Sequence, residues 1–273
     1  MEALLIFIGI GKGMGEIHFY YPRPDTFPSV SVTGADCALN CGHCGRHFLE
    51  GMVPVSEFVP GPRTRGCLVS GGCDKGGSVA LPFEKLRQLR DAGLMLNVHT
   101  GLLDDATARR LSGLVDTVSI DVVGDRAVVK NVYGIDKGLI DYEGSLRLLK
   151  KYRINFTPHV CIGLNRGGYS SEDKAFEMIR KYSEKITLLL LVPTRGTRFA
   201  DARINEQHAL DMIRLARIIF PRVNMGCMRP RIRKIEEELA TLHGVVQPSR
   251  WAKEAARGAG LKIIEHGVCC ACV

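Results

Sequence analysis

The chain has 273 residues, 45% of them hydrophobic, with one Trp and a formal charge of +8 from 37 basic and 29 acidic side chains. That length supports one sizeable core and exceeds what a small secreted scaffold needs, so the ten cysteines do not read as a disulfide framework. No apolar run approaches the ~18 residues of a membrane span, no dense basic block with interleaved aromatics marks nucleic-acid binding, and the positive surplus suits either solubility or an acidic partner.

In chain order, Leu4–Ile10 is apolar but short. Glu2 precedes it where a signal peptide carries positive charge, and no small-residue cleavage site follows, so the chain reads as cytoplasmic. Gly9, Gly11, Gly13 and Gly15 alternate, yet they fit neither G-x-G-x-x-G nor the P-loop, because no Ser or Thr follows Lys12-Gly13. Residues 1–28 read as an N-terminal extension.

From Ser29 onward, short β-branched runs alternate with helical patterns. Val30–Thr33, Cys67–Ser70, Leu94–His99, Val115–Val122, Phe156–Gly163, Ile186–Val192, Val223–Cys227 and Gly244–Val246 read as buried strands. Between them, apolar residues three and four apart predict helices over Phe83–Ala92, Asp104–Leu111, Tyr142–Tyr152, Ser171–Ser183, Glu206–Phe220, Ile232–Leu242 and Ser249–Gly258. Pro82, Asp104, Asp141, Ser170 and Asn205 stand near helix starts. Pro54–Gly66 reads as a long loop. Repeated strand–helix units imply a parallel sheet in an α/β fold. Eight strands predict a complete TIM-type (β/α)8 barrel over residues 29–260, with a six-stranded partial barrel as the alternative. A Cys-rich tail, residues 261–273, follows. In such barrels the chemistry belongs at the C-terminal strand ends.

Immediately after the first of these strands stands Cys37-Ala-Leu-Asn-Cys41-Gly-His-Cys44. Three cysteines spaced C-x3-C-x2-C on one loop can place thiolates on three irons of a [4Fe–4S] cube, and Ala38, Gly42 and Gly45 let the loop wrap closely. The fourth iron then stays open to a cofactor or substrate. The competing reading is a structural zinc site completed by His43 or His47, but such sites use two paired halves across a spacer.

At these residues the sequence resembles the radical S-adenosylmethionine (SAM) superfamily, whose hallmark is this loop after the first barrel strand. The resemblance implies SAM on the open iron, reductive cleavage to a 5′-deoxyadenosyl radical, and hydrogen abstraction by that radical. It also implies further site residues. Gly71 and Gly72, in Ser70-Gly-Gly-Cys73, resemble the element that meets the methionyl amino group, although Cys73 stands where an acid often sits. Ser119 and Asp121 resemble the polar pair that holds the SAM ribose and carboxylate, with helix or turn capping as the other role for Asp121. The stretch around Ile162 resembles the one beside adenine, and Arg195 or Arg229 can bind a carboxylate or substrate anion through a planar fork. His99 ends the third of these strands and either faces the site or is a satisfied core histidine.

Further stretches, Ile17–Pro22, Ser31–Cys37, Leu68–Gly72, Asp121–Asp125 and Gly226–Pro230, resemble small biotin-synthase-like proteins, and together look like the smaller component of archaeal two-component lipoyl synthases. That resemblance implies sulfur insertion into an octanoyl chain on the lysine of an acidic carrier protein. It further implies a second radical SAM subunit and an electron donor such as ferredoxin. The C-x4-C-x5-C motif of single-chain lipoyl synthase is absent. An auxiliary iron–sulfur cluster or sulfur relay is therefore expected from Cys269, Cys270 and Cys272 with Cys73. The alternative is a disordered tail. Cys227 ends the seventh strand and faces the mouth in this reading, while Cys67 and Cys161 read as core residues. Other radical SAM reactions (methylation, rearrangement, cofactor assembly) and a non-catalytic metal protein complete the alternatives.

Overall fold

The computed structural model describes residues 15–273. The apolar run Leu4–Ile10 and the glycines from Gly9 to Gly13 lie outside them. Eleven strands form one parallel sheet: β1 (Glu16–Tyr20), β2 (Ser29–Ser31), β3 (Val53–Pro54), β4 (Gly66–Ser70), β5 (Met95–His99), β6 (Thr117–Asp121), β7 (Phe156–Ile162), β8 (Lys185–Leu190), β9 (Arg222–Met225), β10 (Gly244–Val246) and β11 (Lys262–His266). Their order is β11-β1-β10-β9-β8-β7-β6-β5-β4-β2-β3, with every pairing parallel.

All eight strands expected from Val30 to Val246 are present, yet they do not close into a (β/α)8 barrel. Among the described residues β3 and β11 are the two edges, so the sheet they form is an open, curled half-barrel. The physical reason lies in the terminal segments. Glu16–Tyr20, expected within an extension, inserts between β10 and β11, and Lys262–His266, expected within the tail, pairs beside it. These two strands occupy the edge that would otherwise meet β2.

Nine helices are present among the described residues: α1 (His47–Glu50), which directly follows the cysteine loop and buries no residue, α2 (Phe83–Asp91), α3 (Asp105–Leu111), α4 (Arg126–Tyr133), α5 (Leu139–Lys151), α6 (Glu172–Ile179), α7 (Glu206–Ile219), α8 (Arg233–Glu238) and α9 (Arg250–Gly258). Their starts obey local chemistry. Asp104 accepts from Thr107 N at 2.7 Å, Asn205 from His208 N at 3.1 Å, and Ser249 from Ala252 N at 3.3 Å. Asp125 caps α4, a helix absent from the sequence pattern, by accepting from Ala127 N at 2.6 Å. Asp141 lies inside the first turn of α5 and accepts from Gly138 N. The apolar core lies between sheet and helices, with Leu86, Leu111, Val129, Leu146, Phe176 and Ile213 fully buried from the helix side.

The concave face is different: it is polar. Register places Asn97 beside Thr117, Ser119 beside Thr157, Asp121 beside His159, and Thr187 beside Asn224. These residues share one face by strand alternation. The C-terminal turn, Cys270–Cys272, lies in the concavity against β5, β6 and β10. Among the described residues no helix is long and apolar enough to cross a membrane.

Candidate active site

The C-x3-C-x2-C loop leaves the C-terminal end of β2 and is fixed by backbone bonds to three other segments. Ala38 N donates to Cys73 O at 2.8 Å, Gly42 N to Val132 O at 2.7 Å, and Phe199 N to Gly42 O at 3.0 Å. Gly72 N donates to Thr33 Oγ1 at 2.7 Å, which ties the end of β4 to the root of the loop. Gly72 is needed for contact: a Cβ there would collide with the Asp36 carbonyl oxygen and the Cys37 Cα. Gly71 would likewise meet Val32 Cγ2 at 2.7 Å. The two glycines expected at the SAM site thus clamp the cysteine loop itself.

Cys41 is buried, while Cys37 and Cys44 are half-buried. A hydrogen bond from the Cys41 thiol brings Cys44 down to about 7, and the same pairing, with burial, raises Cys41. Cys44 is therefore the more readily deprotonated of the pair. Cys73 sits close enough that burial, then Cys37, raise its thiol to about 12.

The zinc alternative needs three sulfurs close together and a histidine to complete them. Tetrahedral zinc with bonds of ~2.3 Å holds its sulfurs about 3.8 Å apart. Among the described residues the only three His, Cys, Asp or Glu ligand atoms mutually within 4.8 Å belong to His99, Asp121 and His159. Cys41 and Cys44 lie within hydrogen-bonding reach of each other, and Cys37 does not complete so close a trio with them. His47 is exposed and pairs with Glu50, and His43 stands edge-on to Tyr133 with an inaccessible, unbonded Nδ1.

Below the loop, Asp121 ends β6 between His99 of β5 and His159 of β7. His99 Nε2 lies 3.4 Å from Asp121 Oδ2, and His159 Nδ1 lies 3.8 Å from Asp121 Oδ1. Burial opposes ionisation of Asp121, but the charge of His99 outweighs it and holds the carboxyl down at about 2. Burial pushes His159 and His43 down to about 4, so both imidazoles are neutral. His99 moves the other way: burial disfavours its cation, and Asp121 more than compensates. Sequence reasoning singled out Asp121 and left His99 open, but missed His159. Its one signal was parity, because His159 occupies an inward position on β7.

The remaining expected residues are placed as follows. Ser119 is buried and donates to Asn97 Oδ1 at 2.9 Å, so its hydroxyl is engaged within the sheet instead of facing a ribose. Ile162 is fully buried on the helix-facing side of β7, opposite His159 and Cys161, and its side chain does not face the concavity. Arg229 is corrected most sharply. Its Nε donates to Glu236 Oε1 at 2.6 Å and its Nη1 to the carbonyls of Gly226 and Val246. Its Nη2 donates to Glu236 Oε2 and Gln247 O, both at 3.4 Å. All five N–H bonds are spent inside the protein, leaving none for an anion. Arg195 is exposed on the loop after β8.

The tail cysteines form a second group, separate from Cys73. Asn97 Nδ2 donates to Cys269 Sγ at 3.4 Å, and Cys270 Sγ lies 3.8 Å from Thr187 Oγ1. Cys269 is lowered to about 7 by its hydrogen bond from Cys270, whose own thiol rises. Burial, then Cys269, raises the thiol of Cys227, which has solvent access. The cysteine that neighbours the tail is therefore Cys227, whereas Cys73 belongs with the β2 loop. Around this group Thr117 Oγ1, Thr157 Oγ1 and Asn224 Oδ1 are buried without a partner.

No protein-family model matches the chain, and no curated protein matches it in sequence. Solved structures match in fold. One is methylornithine synthase (PylB), with a TM-score of 0.59 and 11% identity over 91% of this chain and 84% of that one. Another is Streptococcus suis SuiB bound to S-adenosylmethionine, with a TM-score of 0.50 and 10% identity over 92% of this chain. The match spans only 58% of SuiB. At such identities the likeness is one of fold.

Proposed function

We propose that the chain is a radical SAM enzyme. The observation that carries this reading is the three-cysteine loop at the C-terminal strand ends, clamped onto Gly71-Gly72 by backbone contacts. The fold shared with SuiB bound to S-adenosylmethionine agrees with it.

In this reading Cys37, Cys41 and Cys44 hold a [4Fe–4S] cluster, and the end of β4 at Gly71-Gly72 receives the methionyl part of SAM. A bound cluster and SAM supply the electron and the 5′-deoxyadenosyl radical that abstracts hydrogen from an unactivated carbon. The chain's own residues fix the geometry around them. Gly42 and Phe199 anchor the loop, Cys44 is the more readily deprotonated of its pair with Cys41, and Arg195 is the free guanidinium available to a carboxylate.

The finer reading is sulfur insertion into an octanoyl chain on a carrier-protein lysine. The specific support is the second cysteine group, Cys227, Cys269, Cys270 and Cys272, held in the same concavity. It is the natural place for an auxiliary iron–sulfur cluster or sulfur relay. An acidic carrier suits the charge of +8, and a second radical SAM subunit and a ferredoxin-type donor complete the assembly. Methylation, rearrangement and cofactor assembly on the same scaffold are the competing reactions.

Mass-spectrometric quantitation of 5′-deoxyadenosine tests both levels. Anaerobically reconstituted, reduced protein is expected to release it from SAM, and an octanoylated carrier peptide is expected to increase release and gain the mass of sulfur. Peptide-independent cleavage keeps the radical SAM reading and removes the lipoyl one. No cleavage by cluster-loaded protein, with reductant and partner subunit supplied, removes both.

A further inference from the structure

We propose that His99, Asp121 and His159 form a mononuclear site for a first-row divalent transition metal, with coordination positions open to an anionic oxygen or thiolate of a substrate. The inference involves none of the cluster cysteines, and it gives Asp121 to the metal in place of the SAM contact that the sequence resemblance implies.

Three adjacent parallel strands present the set: His99 ends β5 beside Ser119, Asp121 ends β6 two residues further along the same face, and His159 lies in β7 directly beside Asp121. One ligand atom from each lies within 4.8 Å of the other two. The separations of 3.4 Å and 3.8 Å to the carboxylate approach the ~3.4 Å between ligands that share one ion at about 2.1 Å. They are poor as direct bonds. His99 Nε2 and Asp121 Oδ1 are both inaccessible to solvent, and neither makes a hydrogen bond. Leaving such atoms unpaired is unfavourable, and a shared ion removes that penalty.

The chemistry of the donors selects the ion. Two imidazoles and one carboxylate suit zinc, iron(II), cobalt(II) or nickel(II), whereas magnesium and calcium favour all-oxygen shells. Three protein ligands leave positions unfilled, the arrangement of reactive metal sites and not of structural ones. Those positions face open space, because 28% of the His99 side chain, 43% of Asp121 and 16% of His159 remain accessible in the concavity. Strand ends hold ligands more rigidly than loops do, and no movement of the sheet is needed to bring these three together.

Cobalt(II) is the probe, added anaerobically after chelator treatment to full-length protein carrying C37S, C41S and C44S and, to remove the second cysteine group, C227S, C269S, C270S and C272S. One cobalt per chain is expected, with imidazole and oxygen ligands by X-ray absorption and no sulfur-to-cobalt charge-transfer band. His99→Ala or His159→Ala is expected to weaken binding by about 100-fold. The proposal is overturned by absent binding, by a sulfur-containing shell, or by affinity unchanged in both histidine variants. If the serine protein does not fold, cluster-reconstituted wild-type chain is dialysed against zinc instead. There, one zinc per chain beyond the iron, lost in His159→Ala, supports the site, and no excess zinc overturns it.

Discussion

At the scale of single residues, the contrast between Arg229 and Asp121 shows what a sequence can and cannot carry. Both stand after strands, where functional groups gather in parallel α/β folds, and both attracted a ligand-binding role. Arg229 folds inward because Glu236, at the start of α8, is fully buried beneath it. Its partner is a helix residue whose depth no local pattern announces. Breaking such a buried pair costs about 3–5 kcal/mol, since the surviving charge is stranded. Glu236→Gln is therefore expected to lower thermal stability by roughly 6–15 °C, read by calorimetry, without changing iron content. The penalty is pH-dependent. Burial works against the Glu236 carboxylate, but Arg229 prevails and lowers its pKa below the usual value. The folded pKa thus lies below the unfolded one, so this contribution is present above the unfolded value and is lost as pH falls through the folded one. The gap between wild type and variant should be full near neutrality and close in acid. A gap that widens in acid would contradict the pairing.

At the scale of elements, the alternation of strands and helices was legible throughout residues 29–260, because buried parallel strands carry continuous apolar runs and amphipathic helices carry a 3.6-residue period. The cluster loop and Gly71-Gly72 were legible too, each being contiguous in sequence. The histidine–aspartate set was not, because its members come from three strands and meet only through register. Helix α4 escaped because Arg126–Tyr133 is short, and only its Asp125 cap and left-handed Gly134, at φ 75°, mark its ends. Element packing also separates two glycines that look alike on paper. Gly72→Ala drives a Cβ into the backbone of the cysteine loop, and the forced shift is expected to abolish most iron uptake during anaerobic reconstitution. Gly144 lies within α5 with no atom within 4 Å of the place an added methyl group would take, so Gly144→Ala should raise stability by about 0.5–1 kcal/mol and leave iron unchanged. Iron counts that are equal for the two variants would show that the clamp between β4 and the loop is dispensable.

At the scale of the whole molecule, closure was the feature the sequence did not disclose. Counting strands from residue 29 gives eight and suggests a ring, but β1 and β11 come from segments whose pairing depends on each other, and their insertion leaves the sheet open. An open sheet with a polar concave face needs something in that concavity, and the C-terminal turn takes the place. Cys270 packs with Tyr20 and Val246, Cys269 satisfies Asn97, and Cys270 meets Thr187. The tail is thereby a structural plug as well as a cysteine donor, and two variants separate these roles. Deleting residues 268–273 uncovers Tyr20 and Val246 and strands Asn97, a loss of about 2–4 kcal/mol by area and hydrogen-bond reasoning. Hydrogen exchange should then accelerate in β5, β6, β8 and β10, the strands around the turn, and stay unchanged in α2 and α5. Replacing Cys269, Cys270 and Cys272 together by Ser preserves the volume and most polar contacts, so exchange should remain near wild type while any iron beyond the first cluster disappears. Wild-type iron content and turnover in that triple variant would remove the auxiliary-cluster role and leave the tail a plug alone. Unchanged exchange in the deletion variant would remove the plug.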